Sequence, residues 1–283
     1  MMRLTLEEAR EMMQNNNGDI CLKDTSFESL PEDLTVIRDL NLKCSPIKRL
    51  SENLIVGRDL NASNTQIRRL PSKFTVGRSI KLVNTPIKSL PSILTVNGHL
   101  DLSNSQISLL PEKLITGGDL HLTNTPIRKL PEYLIVGGSI DISNTSIETF
   151  PNNFAIGENI LMYFTRIKSL PDHLTVYGSL CLCYTTMETL PEYLTVCRNL
   201  DLTSSPIKSL PETLVVCGHL DLTDTQIETL PVNFTVGGDL VLRGTKIKVL
   251  PENLTVCGNL YLNENIEYEL PKHFTVCGNI YHQ

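Results

Sequence analysis

Hydrophobic residues recur along this chain at fixed places in a twenty-residue unit. Leu50, Leu70, Leu90, Leu110 and Leu130 hold one slot, and Ile47, Ile67, Ile87, Ile107 and Ile127 hold another. Each unit reads Leu-Pro-x-x-Leu-Thr-Val, a small or polar pair, then x-Leu-x-Leu-x-Asn-Thr-x-Ile-x-x-Leu, and the register runs from Ile20 to Ile280 without an insertion. A period of this length marks a solenoid, whose repeats bury their apolar faces only against their neighbours. The Leu-x-Leu alternation predicts one short parallel strand per coil, with its leucines facing inward. Leu-Pro opens the opposite side, where proline fixes φ and lacks a donor. Ser51 marks a coil without that proline. Twenty residues leave no room for a helix on that side, so the expectation is a mainly β, curved stack of about fourteen coils.

The first residues follow another pattern. Thr5-Leu6-Glu7-Glu8 has the form of a capping box, with Thr5 capping a helix and Glu8 reaching back. Leu6, Ala9, Met12 and Met13 fall on one helical face, and Asn15-Asn16-Asn17-Gly18 stops it. A solenoid needs a cap over its first coil. Residues 1–18 are therefore assigned to a capping helix and 19–283 to the solenoid. Apolar runs near Met1 are too short for a Sec signal peptide, and no segment is long enough to insert in a membrane. Ile280-Tyr281-His282 begins a further strand whose edge is a template for pairing, so end-to-end self-association through it is expected.

The unit resembles the leucine-rich repeat, whose core is L-x-x-L-x-L-x-x-N-x-L. Leu100 to Ile107 supplies L-x-L-x-x-S-x-I, and Leu120 to Ile127 supplies L-x-L-x-x-T-x-I. Two departures stand out. Gly57, Gly117, Cys197 and Cys257 replace the first family leucine, with the residue before them expected to fill its volume. Ser45, Thr65, Thr85, Ser105, Thr125 and Thr145 replace the family asparagine, whereas Asn265 retains it. A hydroxyl still bonds the backbone of a turn, so a threonine ladder is expected in place of the asparagine ladder. The Leu-Pro side and the twenty-residue length are similar to the bacterial type of repeat found in secreted effector proteins. That resemblance implies delivery by a specialised secretion system; the lack of a secretory signal and the thiol spacing otherwise lead to the expectation of a cytoplasmic protein. Some such effectors carry a ubiquitin-ligase domain after their repeats; nothing in this sequence matches it, and the activity is not carried over.

Charge and cysteine chemistry narrow the reading. From Arg38 to Lys88 eleven basic residues face three acidic ones, although the whole chain has a net charge of −6. Arg38, Arg58 and Arg78 repeat at one slot and Lys48, Arg68 and Lys88 at another, predicting basic stripes able to attract acidic partners. Nucleic acid is disfavoured, because no aromatic residues interleave with these cations. Cys197, Cys217, Cys257 and Cys277 occupy the slot of Gly57, Gly77 and Gly117 and read as small buried thiols. Side chains one coil apart are too widely spaced for a disulfide. Cys181 and Cys183 alternate outward from a strand, but no histidine or carboxylate pattern around them completes a metal site, and none is assigned. No phosphate loop, zinc-protease motif or nucleophile elbow is present. His99 and His121 with Asp101 and Asp119 are most simply solvated side chains of a sheet face. No catalytic residue and no cofactor is assigned.

The outward strand positions carry the remaining signal. They are short and polar through His99, Asp101, Ser103, Asp119, His121 and Thr123, and again through Asp201, Thr203, Asp221 and Thr223. Between them Leu161, Tyr163 and Phe164 are followed one coil later by Cys181, Cys183 and Tyr184. An apolar and aromatic cluster on a polar concave face is the signature of an interaction site. The alternative is that Phe164 and Tyr184 turn inward to fill space. The expected function is a non-catalytic scaffold binding a protein partner on that face, as an effector or its recognition domain. A structural or adhesive repeat without a specific partner is the alternative.

Overall fold

Two or three residues of every Leu-x-Leu segment form a strand, and the strands pair in parallel at a constant offset of twenty. The computed structural model describes residues 2–264 and 266–282, so the asparagine expected at 265 lies outside the described residues. The chain packs as two units, Met1–Asp141 with Asn153–Ala155, and Ile142–Asn152 with Ile156–Gln283. Each is a parallel β-solenoid.

In the first unit the strands Ile20–Cys21, Leu40–Asn41, Leu60–Asn61, Ile80–Lys81, Leu100–Asp101, Leu120–His121 and Ile140–Asp141 follow one another in that order. Leu100 pairs with Leu120 and Asp101 with His121. Beyond the strand, the Leu102 N–H donates to His121 O at 2.9 Å and the Asn104 N–H to Thr123 O at 2.8 Å. Period-two alternation then decides burial: Leu100 and Leu102 are buried, and Asp101 between them is half-exposed. Fully burying such a leucine contributes about 1.5–3 kcal/mol relative to exposure, and the gain recurs in each coil.

The second unit repeats the scheme with Ile160–Leu161, Leu180–Cys181, Leu200–Asp201, Leu220–Asp221, Leu240–Val241, Leu260–Leu262 and Ile280–His282. Its core includes Ile160, Met162, Leu180, Leu182, Met187 and Leu200.

On the side where the twenty-residue period leaves no room for a helix, a further strand forms. Ile93–Val96, Lys113–Thr116 and Tyr133–Val136 pair in parallel in the first unit, as do Thr175–Val176 and Thr195–Val196 in the second. Val56, Val136, Val176, Val196 and Val256 are buried, filling the volume of the missing family leucine. The residue after each valine must then point outward. Cys197 is accordingly half-exposed and Cys217, Cys257 and Cys277 are exposed, which corrects the expectation of buried thiols.

At the N-terminus the helix Leu6–Asn15 carries the expected capping box. Glu8 Oε2 accepts from the Thr5 N–H at 2.8 Å, and Thr5 Oγ1 accepts from the Glu8 N–H at 3.2 Å. The burial differs from the expected face. Ala9 is buried, Met12 and Met13 are half-buried, and Leu6 is exposed. Leu4 supplies the missing contact: it is buried just after the short strand Met2–Arg3, which pairs with Phe27–Ser29. Among the described residues no helix is long and apolar enough to cross a membrane.

Candidate functional site

In several coils the position after the inward leucine or isoleucine carries a carboxylate or amide that serves its own coil. Asp101 Oδ1 accepts from the Ser103 N–H at 3.0 Å, Asp201 Oδ1 from Thr203 at 3.0 Å and Asp221 Oδ1 from Thr223 at 2.9 Å. These are Asx turns, the local bond that short polar side chains offer a turning backbone. Three residues further along, the chain enters the left-handed region in coil after coil. Asn64, Asn84, Asn104, Asn124 and Asn144 have φ between 54° and 58°, and Ser204, Asp224 and Gly244 occupy the same slot at 53°, 57° and 66°. Asparagine, aspartate and glycine tolerate this conformation. Exposed amides also bond from coil to coil there, with Asn84 Nδ2 donating to Asn64 Oδ1 at 2.7 Å and Asn124 Nδ2 to Asn104 Oδ1 at 2.9 Å.

Two successive coils depart from this plan. Phe164 and Tyr184 occupy the left-handed slot at φ 54° and 55°, a conformation that costs an L-residue with a bulky side chain roughly 1–2 kcal/mol. Their rings stack at 4.6 Å between centroids with an interplanar angle of 11°. Phe164 is 56% exposed and Tyr184 49%. They do not turn inward, so the space-filling alternative is set aside. The stack replaces the amide ladder.

Beside the stack lie Leu161, half-buried, and Tyr163, exposed. Leu161 pairs with Cys181, which in turn pairs with Asp201. Both thiols take the outward parity read from the sequence, yet Cys181 is only 4% exposed and Cys183 3%. Their sulfurs are 2.8 Å apart, and the Cys183 thiol also lies 3.9 Å from Asp201 O. The bond from Cys183 holds the Cys181 thiol below its ordinary range against the effect of burial, with the Tyr163 hydroxyl adding to it. Conversely, the bond to Cys181 and then burial push Cys183 up, and the bond to Cys181 pushes Tyr163 up. Cys181 is thus the favoured thiolate of the group. Asp201 is the residue that sequence reasoning missed. Its carboxylate is one coil away, twenty residues on, and only the register brings it to the two thiols.

The stripe residues divide. Arg38, Arg58 and Arg78 each lean on the aspartate of the preceding coil: Arg38 Nε is 3.7 Å from Asp19, Arg58 Nε 3.8 Å from Asp39, and Arg78 Nε donates to Asp59 Oδ1 at 2.9 Å. The Arg78 guanidinium holds the Asp59 carboxyl down at about 2. Lys48, Arg68 and Lys88 are exposed, and Lys48, Arg49, Arg68 and Arg69 line a shallow groove of about 440 Å³. His99 and His121 approach Asp119 at 3.1 and 3.9 Å. His99 has a structural task, its Nδ1 accepting from the Asp119 N–H at 2.9 Å.

This combination of parallel coils, twenty-residue period and inward Leu-x-Leu-x-x-Thr-x-Ile defines the leucine-rich repeat fold. No family model matches the chain, and no curated protein does. Among solved structures it is similar to YopM, a leucine-rich effector protein from Yersinia pestis, with a TM-score of 0.51 and 19% identity over 98% of this chain and 92% of that one. A leucine-rich repeat protein of Leptospira interrogans aligns with a TM-score of 0.43 and 16% identity over 92% of this chain and 80% of that one. At these identities the likeness concerns the fold.

Proposed function

We propose that this chain is a non-catalytic scaffold that binds a protein partner through Leu161, Tyr163, Phe164 and Tyr184, with Cys181 and Cys183 beneath them. The observation that carries this reading is the exposed Phe164–Tyr184 stack. It occupies two left-handed slots that neighbouring coils fill with asparagine, serine or aspartate. Backbone strain of this kind persists where function needs it, and aromatic side chains held on a rigid frame are typical interface anchors. The outward strand positions of the following coils, Asp201, Thr203, Asp221 and Thr223, are short and polar, as the rim of an interface is. The effector description of YopM supports placing this chain in a bacterial effector, as its recognition body.

The double variant Phe164→Asn/Tyr184→Asn tests the reading, because asparagine suits the slot. The expected result is unchanged or raised thermal stability together with loss of a partner that wild-type protein captures from host-cell lysate. Tyr163→Ala should weaken the same complex by about 2 kcal/mol, and Asp221→Ala far less. Retained capture by the double variant would remove the aromatic stack from the interface. A second reading, association of the chain with itself, is supported by the strand Ile280–His282, exposed at all three residues.

A further inference from the structure

Next to Tyr184 in the chain the fold assembles a donor set that its sequence does not announce. Cys181 ends a strand and Cys183 lies in the turn that follows, and their sulfurs meet at 2.8 Å. Strand register sets Asp201 directly beside Cys181. One ligand atom from each of Cys181, Cys183 and Asp201 lies within 4.8 Å of the others, and no other three His, Cys, Asp or Glu side chains among the described residues converge in this way. The two thiols are buried and unbridged.

We propose that Cys181, Cys183 and Asp201 form a binding site for a thiophilic divalent cation of the zinc class. Two thiolates and one carboxylate are the soft and borderline donors such ions select, whereas calcium and magnesium require oxygen donors throughout. With metal–sulfur bonds of about 2.3 Å, two thiolates sharing a tetrahedral ion sit roughly 3.8 Å apart. The sulfurs, now at 2.8 Å, reach that spacing by a small outward rotation of the two side chains. Thr203 supplies the outer support: its N–H and hydroxyl donate to Asp201 Oδ1 at 3.0 and 2.7 Å and fix the carboxylate, as partners of metal ligands commonly do. The same Asp-x-Thr pair recurs at Asp221 and Thr223, but there the preceding coil offers Asp201 and Thr203 rather than two thiols. Binding moves no electrons. Two thiol protons leave as the ion enters, and the bound cluster carries one net negative charge. Three protein ligands would leave a fourth position for water.

Cobalt(II) titration of the full chain under a non-thiol reductant tests this directly, since thiolate ligation gives an intense near-ultraviolet charge-transfer band. The expected result is one equivalent bound, displaced by zinc(II) with unchanged stoichiometry. Cys181→Ser and Cys183→Ser should each abolish the band, Asp201→Asn should weaken binding at least about tenfold, and Thr203→Val should weaken it less. Cys217→Ser/Cys257→Ser, which removes exposed thiols, should leave the band intact. Absence of the band in wild-type protein, or its persistence in the Cys181→Ser/Cys183→Ser double variant, would overturn the proposal. The titration needs no partner protein, so its failure is independent of the interaction reading.

Discussion

Threonine and serine behave differently at the slot where the family pattern has asparagine. Thr65, Thr85, Thr125, Thr145, Thr165, Thr185, Thr225 and Thr245 each donate Oγ1 to the carbonyl three residues back. Ser45 and Ser205 are buried at the same slot with no side-chain partner, and Ser105 accepts from the Ile107 N–H at 3.4 Å, so the bond back to the carbonyl is made by the threonines. A methyl on Cβ restricts the rotamer of threonine, and serine lacks that constraint. Thr125→Val keeps the shape but deprives Leu122 O of a buried bond of 2.6 Å. It should destabilise by about 1–3 kcal/mol, measured by chemical denaturation; an unchanged midpoint would mean that the bond adds nothing. The preceding slot was readable as asparagine-rich, but its left-handed φ was not. That is why an inward, space-filling placement of Phe164 and Tyr184 stands as an alternative in the sequence, and their exposure in the structure decides against it.

Between coils, side chains at the slot of Asp19, Asp39 and Asp59 act as acceptors for the next coil. Asp19 Oδ1 takes the Asp39 N–H at 3.0 Å, Asp39 Oδ1 the Asp59 N–H at 3.0 Å, and Asp59 Oδ1 the Ser79 N–H at 3.0 Å. Ser79, His99 and Asp119 continue the series. The signal was present in the sequence as an acceptor at every twentieth residue, but charge and residue type vary along it and the hydrophobic pattern hides it. These same aspartates meet Arg38, Arg58 and Arg78, so half of the basic stripe is spent on the solenoid itself. The carboxyl of Asp59 sits at about 2 against an ordinary 3.8. The folded chain therefore takes up that proton later than the unfolded chain. The stabilisation is present above about pH 4 and is lost as pH falls from about 4 to about 2. Asp59→Asn should lower stability at neutral pH by less than about 1 kcal/mol, since the pair is largely exposed and screened. The difference from wild type should vanish in acid denaturation below about pH 2, and a pH-independent difference would show that the ion pair contributes nothing.

Across the molecule, stability is a sum of like coils and their nearest-neighbour interfaces. Self-association through Ile280–His282 would extend that sum by one more interface. Ile280→Lys should lower concentration-dependent association in light scattering, because a charge on an exposed strand opposes edge pairing; equal association of both proteins would place the contact elsewhere. The sequence by itself determined the solenoid, its period, the inward leucines and isoleucines and the helix cap, because each follows from interactions inside one repeat or from strict repetition. Tertiary structure alone decided that Asp201 meets Cys181 and Cys183, that Phe164 and Tyr184 stack in the open, and that the Arg38, Arg58 and Arg78 charges are met by aspartates. These pairings join residues from successive coils, where the register and backbone angle, rather than residue type, set which side chains touch.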